Sequence, residues 1–271
     1  MGKVVGAFGQ GHILFHPHGA EAAADRVYEG YKAVGRRIRA LKPDLLVVIS
    51  GDHLFNLGTS YQMPYAVGVA DEYLPWGDTD VPVRPFAGQR EFGEGLVRFG
   101  AEQDFDLAKL EAHGFRPDHG ISVPVMFAAP RGDLPVVPIN INICMEPLPN
   151  PRRCQALGNL LKKYVEQCRP VGERVVVIGA GGLSHWLMVD RDGEINEIFD
   201  RHVLALIEAG RGDELAEMTA ADLLATAGNG GMETLYWITM LATVPGARGE
   251  TIFYEPMYSW KTGIAATQLH V

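Results

Sequence analysis

The chain has 271 residues, 47% of them apolar, and its formal net charge at pH 7 is −9. A chain of this size can bury a full core, and its acidic balance disfavours a nucleic-acid-binding protein, which would present a basic face. No apolar run approaches the roughly 20 residues of a membrane span, and the N-terminal residues do not predict a signal peptide. Cys144, Cys154 and Cys168 lack CxxC spacing and favour reduced thiols, so we expect a cytoplasmic protein.

Buried strands and amphipathic helices alternate along the chain. The apolar runs at residues 3–8 and 45–49 predict strands, and apolar positions at alternating steps of four and three predict a helix at 21–41 between them. The same patterns predict further strands at 65–69, 136–143, 175–178 and 263–271, and helices at 90–102, 151–168, 194–209, 219–225 and 232–243. Strands that alternate with helices in this way predict one α/β domain over residues 1–271.

Three histidines directly follow predicted strands. His12 follows the first strand, His53 the second, and His185 the strand at 175–178 with its glycine-rich turn. Ligands of open α/β sheets collect outside the carboxyl ends of the strands, so all three histidines are expected at one edge. A single histidine after a strand is more often structural or exposed, but three at the same edge favour a shared site.

A carboxylate that could complete this site is Glu233, at the start of the apolar helix predicted at 232–243. Two imidazoles and one carboxylate with open coordination positions are the arrangement of non-haem Fe(II) oxygenases, and His12, His53 and Glu233 could supply it. Taken alone, Glu233 could equally be a first-turn acid that is favoured by the helix dipole. Its apolar neighbours suggest a buried carboxylate, which needs a partner such as a metal ion.

The remaining histidines carry weaker predictions. Asp118 and His119 lie in a Pro-Asp-X-Gly segment, which is common turn chemistry, but an acid beside a histidine also suits proton transfer near neutral pH. His16 and His18 form an HxH pattern that we interpret as loop structure or a pocket wall. Surface or packing positions are expected for His113, His202 and His270.

Common nucleotide and nucleophile motifs are absent from the sequence. The run Gly179-Ala180-Gly181-Gly182 resembles the start of a dinucleotide fingerprint, but Ser184 stands where the third glycine would fall. There is no P-loop and no GxSxG nucleophile elbow. The histidine and glutamate pattern therefore carries the functional prediction.

Five short motifs together resemble the class III (LigB-type) extradiol ring-cleaving dioxygenases, typified by the β subunit of protocatechuate 4,5-dioxygenase. They occur in the family's order and at similar spacings over essentially the whole chain. The matching segments are Gly11-His12, Gly51-Asp52-His53, Asp118-His119-Gly120 followed by Val123-Pro124, Gly181-Gly182-Leu183-Ser184-His185, and Gly230-Gly231-Met232-Glu233 with Leu235-Tyr236-Trp237. The resemblance implies a LigB-like domain with a central, largely parallel or mixed sheet flanked by helices.

The resemblance also implies a role for each site residue. His12, His53 and Glu233 would bind Fe(II), His185 would be the acid–base residue beside the substrate, and His119 a second one. The reaction would open the ring of a catechol-type or heteroaromatic diol beside the diol, with O2, in aromatic catabolism. Homo-oligomers, dimers or higher, are usual in such a family, and some relatives use a small partner subunit.

The substrate-anchoring residues are not assigned by the resemblance. Arg84 and Lys261 are the candidates for an anion contact, and residues 57–90 and 253–260 are expected to form pocket walls. Two alternatives stay open. One is a Zn-dependent hydrolase that uses the His16-Pro17-His18 pattern, and the other is a non-catalytic subunit or scaffold of the same fold.

Overall fold

Strands and helices alternate in the computed structural model, which describes residues 1–58, 63–79, 81–111 and 113–271. Within these ranges the strands are β1 (Lys3–Gln10), β2 (Leu45–Ser50), β3 (Tyr65–Gly68), β4 (Glu72–Tyr73), β5 (Phe86–Ala87), β6 (Ala108–Leu110), β7 (Val136–Ile141), β8 (Arg174–Ala180), β9 (Gly249–Met257) and β10 (Thr262–Leu269). The helices are α1 (Glu21–Ala40), α2 (Arg90–Glu102), α3 (His119–Ala128), α4 (Pro151–Cys168), α5 (Glu197–Ala209), α6 (Ala220–Gly231) and α7 (Thr234–Leu241).

One mixed sheet has eight strands in the order β6-β3-β7-β2-β8-β1-β10-β9. Its centre, β7-β2-β8-β1, is parallel, whereas β10 joins β1 and β9 in antiparallel pairs and β3 is antiparallel to β7. The predicted α/β fold with a largely parallel or mixed sheet is therefore confirmed. The four parallel strands end at the same edge, which we call the catalytic edge.

Helices cover both faces of this sheet because its central strands are apolar on both sides. All six residues of β2 are buried, with Leu46 and Val48 packed toward α1 and α3, and Val47 and Ile49 toward α4 and α7. Such continuous burial is typical of strands inside parallel sheets. Among the described residues, no helix is both long and apolar enough to span a membrane.

Most predicted elements are found close to their expected bounds, but the C-terminal region differs. The predicted closing strand is β10, and it pairs with β9, which the sequence analysis interpreted as a pocket wall rather than a strand. The predicted break before α7 is present, where Gly228 has a φ of 90°. Glycine adopts this left-handed backbone without the steric cost that a side chain would add. The turn that follows leaves Glu233 as the N-cap of α7.

Candidate metal centre and active site

The register of the sheet brings three of the predicted histidines to the catalytic edge. Gln10 of β1 is aligned with Ala180 of β8, and β2 runs parallel to β8 in the same central group. His12, His53 and His185 follow these three strands within a few residues, in loops that leave the sheet on the same side. The strand ends therefore supply the site, as the sequence predicts.

Glu233 enters this group from α7. Its Oε1 lies 3.2 Å from Nε2 of His12 and 3.3 Å from Nε2 of His53. Its Oε2 accepts a hydrogen bond of 2.5 Å from the backbone N–H of Gly182 and lies 4.0 Å from Nε2 of His185. One oxygen is thus held by the turn after β8, and the other faces two imidazoles.

The imidazoles of His12 and His53, which face Glu233 through Nε2, each form a hydrogen bond through their other nitrogen, Nδ1. His12 Nδ1 lies 3.1 Å from the carbonyl oxygen of Ala180, and His53 Nδ1 lies 3.0 Å from Oδ2 of Asp118. Each Nδ1–H can donate to its acceptor, so that Nε2 is the ring nitrogen that faces Glu233. Histidines that bind metals have such partners, because a bound Nδ1–H fixes both the tautomer and the ring orientation.

The spacing of these donor atoms fits a divalent metal ion. Two ligands that are each about 2.1 Å from an ion lie roughly 3 to 3.5 Å apart at right to tetrahedral angles, and the separations from Oε1 fall in that range. Within the described ranges, one further group of potential ligands overlaps this set, since nitrogens of His12, His53 and His119 all lie within 4.8 Å of one another. The potential ligands in these two overlapping groups are therefore the imidazoles of His12, His53 and His119 and the carboxylate of Glu233.

Charge compensation at the centre is strong even without an ion. Burial alone would raise the pKa of the Glu233 carboxyl, but His12, His53 and His185 lower it well below its usual value. Burial alone would likewise lower the pKa of His53, but Asp118 and Glu233 raise it well above its usual value. A metal ion would displace the proton that His53 holds, because only a neutral imidazole binds a metal.

The acids beside His53 and His119 pair differently from the sequence prediction. Asp118 caps α3 by accepting from the backbone N–H of Gly120 at 2.9 Å, and its Oδ2 accepts from the backbone N–H of His53 at 2.8 Å. His119 instead has its Nδ1 2.5 Å from Oδ2 of Asp78. Asp118 therefore acts on His119 through its charge, which raises the pKa of His119, and not through a hydrogen bond, because the cap turns its carboxylate toward the adjacent loop.

Asp78 is a site residue that sequence reasoning missed. It lies 41 positions before His119, inside the 57–90 segment that was expected only to form a pocket wall. Burial would raise the pKa of the Asp78 carboxyl, but the hydrogen bond from His119 lowers it. Burial and the charge of His53 lower the pKa of His119, so its imidazole is neutral near pH 7.

His185 is held as a neutral imidazole inside the site. Burial lowers its pKa, and its Nδ1 lies 3.0 Å from the carbonyl oxygen of Leu183. Its backbone is fixed as well, because its N–H donates to the carbonyl oxygen of Ala227 at 2.8 Å. Gly230 passes so close that a Cβ there would overlap the His185 ring. That glycine lets the turn before α7 close over the imidazole.

The site opens toward solvent beside two of its histidines. The side chains of His53 and His119 are 24% and 11% exposed, whereas those of His12, His185 and Glu233 are at most 3% exposed. The rings of His53 and His119 lie 4.1 Å apart between centroids, with an angle of 31° between their planes. A substrate would therefore reach the centre along these two rings.

Other predicted polar residues lie outside this group of donors. His16 and His18 contact each other, with ring centroids 4.8 Å apart, and do not join the potential ligand group. Lys261 pairs with Asp192. Arg84 lines a cavity of about 450 Å³ between the 75–86 segment and α3 rather than the metal centre. The other three histidines, His113, His202 and His270, are exposed.

Comparisons with known proteins give a family match over most of the chain. Residues 12–265 match the family model of the catalytic LigB subunit of aromatic ring-opening dioxygenase. Two relatives, from Klebsiella pneumoniae strain 342 and from Pseudomonas putida, are named 2,3-dihydroxyphenylpropionate/2,3-dihydroxicinnamic acid 1,2-dioxygenase. The first is 24% identical, with 91% of each chain covered, and the second is 26% identical, with 93% of each covered.

A solved structure shares the fold. The crystal structure of the uncharacterized protein JW3007 from Escherichia coli K12 has a TM-score of 0.61 and 18% sequence identity, and the match covers 97% of this chain and 99% of that chain. At this identity the likeness concerns the fold alone. The family match spans nearly the whole chain, and the chain therefore belongs to the LigB family of catalytic subunits of aromatic ring-opening dioxygenases.

Proposed function

We propose that the protein is a non-haem Fe(II) enzyme that uses O2 to open the ring of an aromatic vicinal diol beside the two hydroxyl groups. The main observation that supports this proposal is that Oε1 of Glu233 lies 3.2 Å from Nε2 of His12 and 3.3 Å from Nε2 of His53. Two imidazoles and one carboxylate leave coordination positions open for a substrate. The names of the two relatives support this reaction class. Residues 1–271 act as one catalytic domain in this proposal.

His12, His53 and Glu233 are the proposed iron ligands. Bound Fe(II) would lower the pKa of a coordinated hydroxyl group and bring the diol and O2 together. Both imidazoles would bind through Nε2, because their Nδ1–H groups donate to Ala180 and Asp118. Asp118 acts in this proposal as a positioning residue that orients His53 and fixes its tautomer.

His185 and His119 are the proposed proton-transfer residues. His185 is neutral and has Nδ1 engaged by Leu183, so Nε2 is the atom that can accept a proton from the second hydroxyl of the diol. His119 has Nδ1 engaged by Asp78, which likewise leaves Nε2 for proton exchange.

Two alanine variants test these roles. Glu233→Ala removes the only carboxylate among the proposed ligands and is expected to lose bound iron and turnover together. His185→Ala is expected to keep iron and to lose turnover by about 10²- to 10⁴-fold, the usual contribution of an acid–base residue. Iron content and O2 uptake are measured on both, with His202→Ala as a control because His202 is an exposed histidine on α5. Normal turnover in His185→Ala would contradict its assigned role.

A further inference from the structure

Three large apolar side chains are exposed next to the opening of the site. Leu54, Phe55 and Trp76 are 46%, 41% and 38% exposed, and we call them the entrance patch. The rings of Phe55 and Trp76 contact each other, with centroids 5.7 Å apart. Apolar side chains that are exposed singly need no explanation, but a group of them beside a site indicates a surface that is covered when a ligand binds.

The residues of the entrance patch are close in sequence to His53 and to Asp78, the partner of His119. Leu54 and Phe55 directly follow His53, the most exposed of the proposed ligands. Trp76 lies two residues before Asp78, which holds His119. A ring that enters along the two imidazoles would therefore carry its substituents out across these three side chains.

A polar network below the patch holds these side chains in place. Asp52 accepts hydrogen bonds from Asn56, whose own Oδ1 accepts from Nε1 of Trp76 at 3.3 Å. The backbone N–H of Trp76 donates to the carbonyl oxygen of Pro117 at 2.9 Å. The loops that carry the patch are thereby tied to each other and to the Asp118–His119 turn. These hydrogen bonds give the patch a defined structure.

The backbone of Leu54 has a strained conformation. Its φ is 66°, in the left-handed region that a branched side chain rarely adopts. Strained residues persist where the surroundings hold them, and they concentrate at ligand-binding and active sites. Here the strained residue also exposes an apolar side chain to water, which adds to the cost. A ligand that contacts the Leu54 side chain would cover this apolar surface, and the strained backbone would hold the side chain in position for that contact.

The cation at the patch is engaged within the protein. The guanidinium of Arg116 lies 5.0 Å from the ring of Trp76, and its Nη2 donates to the carbonyl oxygen of Pro75 at 2.7 Å. Asp52 and the side chain of Asp78 are buried and hydrogen-bonded within the protein, so their carboxylates do not line the patch. The exposed surface of the patch is therefore apolar, and an uncharged substituent would bury its own surface against it.

We propose that the entrance patch is a subsite for an uncharged alkyl or aryl substituent of the substrate. This inference rests on the proposed function, and it narrows the substrate class to catechols with an apolar group beside the diol. Leu54 and Trp76 are its specificity-determining residues. Each methylene buried against such a surface favours binding severalfold, so a propyl chain is expected to raise kcat/KM by about tenfold or more.

The test compares catechol, 3-propylcatechol, 3-phenylcatechol and 3-(2-carboxyethyl)catechol as substrates of the Fe(II)-loaded full chain. We expect kcat/KM to be highest for the propyl and phenyl compounds. Leu54→Asn and Trp76→Ala are expected to lower the propyl-to-catechol ratio of kcat/KM by about tenfold. Val171→Asn is the control, because Val171 is an exposed apolar residue before β8, at the opposite end of the sheet. It is expected to leave the ratio unchanged.

Two further measurements keep the inference separate from misfolding and from the proposed function. Asparagine tolerates the left-handed region, so Leu54→Asn is expected to have a Tm at least as high as the wild type while selectivity falls. Affinities for the same compounds are measured without O2. Affinities that are highest for the propyl and phenyl compounds, without ring cleavage when O2 is supplied, would support the subsite and overturn the proposed function. Cleavage with no dependence on the substituent, or a preference for the carboxyethyl compound, would overturn the subsite alone.

Discussion

Two aspartate–histidine pairs lie side by side at the catalytic edge, and they differ in what else faces each imidazole. Asp118 accepts a hydrogen bond from Nδ1 of His53, and Asp78 accepts one from Nδ1 of His119. The centroids of the two imidazole rings lie 4.1 Å apart. His53 also faces Glu233, so that two carboxylates raise its pKa despite its burial. Burial and the neighbouring charge of His53 lower the pKa of His119, and Asp78 does not offset them.

The difference shows that an aspartate partner does not by itself determine what a buried histidine does. The imidazole between two carboxylates is a site where a divalent cation can replace a proton, and the one beside a single carboxylate is a neutral base or acid. We therefore propose that the first pair, Asp118–His53, holds metal and that the second pair, Asp78–His119, moves protons. Substitutions that change only the aspartates separate these two roles.

The largest effect is expected from Asp78→Asn. An asparagine can donate to Nδ1 rather than accept from it, so His119 would favour the tautomer with a proton on Nε2. We expect kcat to fall by about 10²-fold or more while iron content stays at the wild-type level. Asp78→Glu keeps an acceptor and is expected to recover part of the activity. A loss of iron in Asp78→Asn would contradict the separation of roles.

A smaller effect, and on a different quantity, is expected from Asp118→Asn. Loss of the acceptor at Nδ1 of His53 removes the group that orients a proposed ligand, which typically lowers metal affinity by 10- to 100-fold. Competition with a chelator measures the Fe(II) affinity. Excess iron is expected to restore most of the turnover, in contrast to Asp78→Asn. Unchanged iron affinity would show that Asp118 is important as the cap of α3 and not as the group that orients His53.

The last and least direct effect concerns Asp200, another buried aspartate, whose partners are a backbone amide and a tyrosine instead of an imidazole. It accepts from the backbone N–H of Ser184 at 2.8 Å and from the hydroxyl of Tyr254 at 2.9 Å, and burial raises its pKa to about 6. By contrast, burial would also raise the pKa of Asp118, but the charge of His53 lowers it to about 2. The contrast isolates what an imidazole contributes to a buried carboxylate.

The raised pKa of Asp200 gives a pH dependence of stability with a definite sign. Between its ordinary pKa of 3.8 and about 6, the folded protein keeps a proton that the unfolded chain has lost. The free energy of unfolding contributed by Asp200 therefore falls as pH rises through this window, by on the order of 3 kcal/mol. Urea unfolding at several pH values is expected to show this slope weakened in Asp200→Asn. The control is Asp25→Asn, which is expected to keep the slope because Asp25 is exposed on α1.

The same contrast explains which features the sequence predicts. His12, His53 and His185 are visible because each follows a run of apolar residues, and parallel strands bring such ends together. Sequence proximity does not reveal the hydrogen-bond partners of Asp118, because the capping hydrogen bond decides where its carboxylate lies. Asp78 gives no local signal at all, since its partner is 41 positions away. Pairings of that kind depend on how loops fold over one another.

The β9 strand of the C-terminal hairpin was missed for a related reason. Residues 253–260 mix aromatic, acidic and proline side chains, which do not alternate in the manner of a half-buried strand. The β9 strand forms because β10 offers it an open edge, and its residues are mostly only partly buried. Helices α2 and α4 lie at their predicted bounds, because their apolar stripes and terminal residues are local features.

We propose above that the donors at the catalytic edge hold iron for the cleavage of an aromatic diol. The most direct measurement loads the full chain with Fe(II) in the absence of O2, quantifies the iron, and then follows O2 uptake and near-visible absorbance with a panel of vicinal diols. We expect about one iron per chain, and one O2 consumed for each ring-opened product. A chain that binds no iron, or an iron-loaded chain that consumes no O2 with any diol, would contradict it.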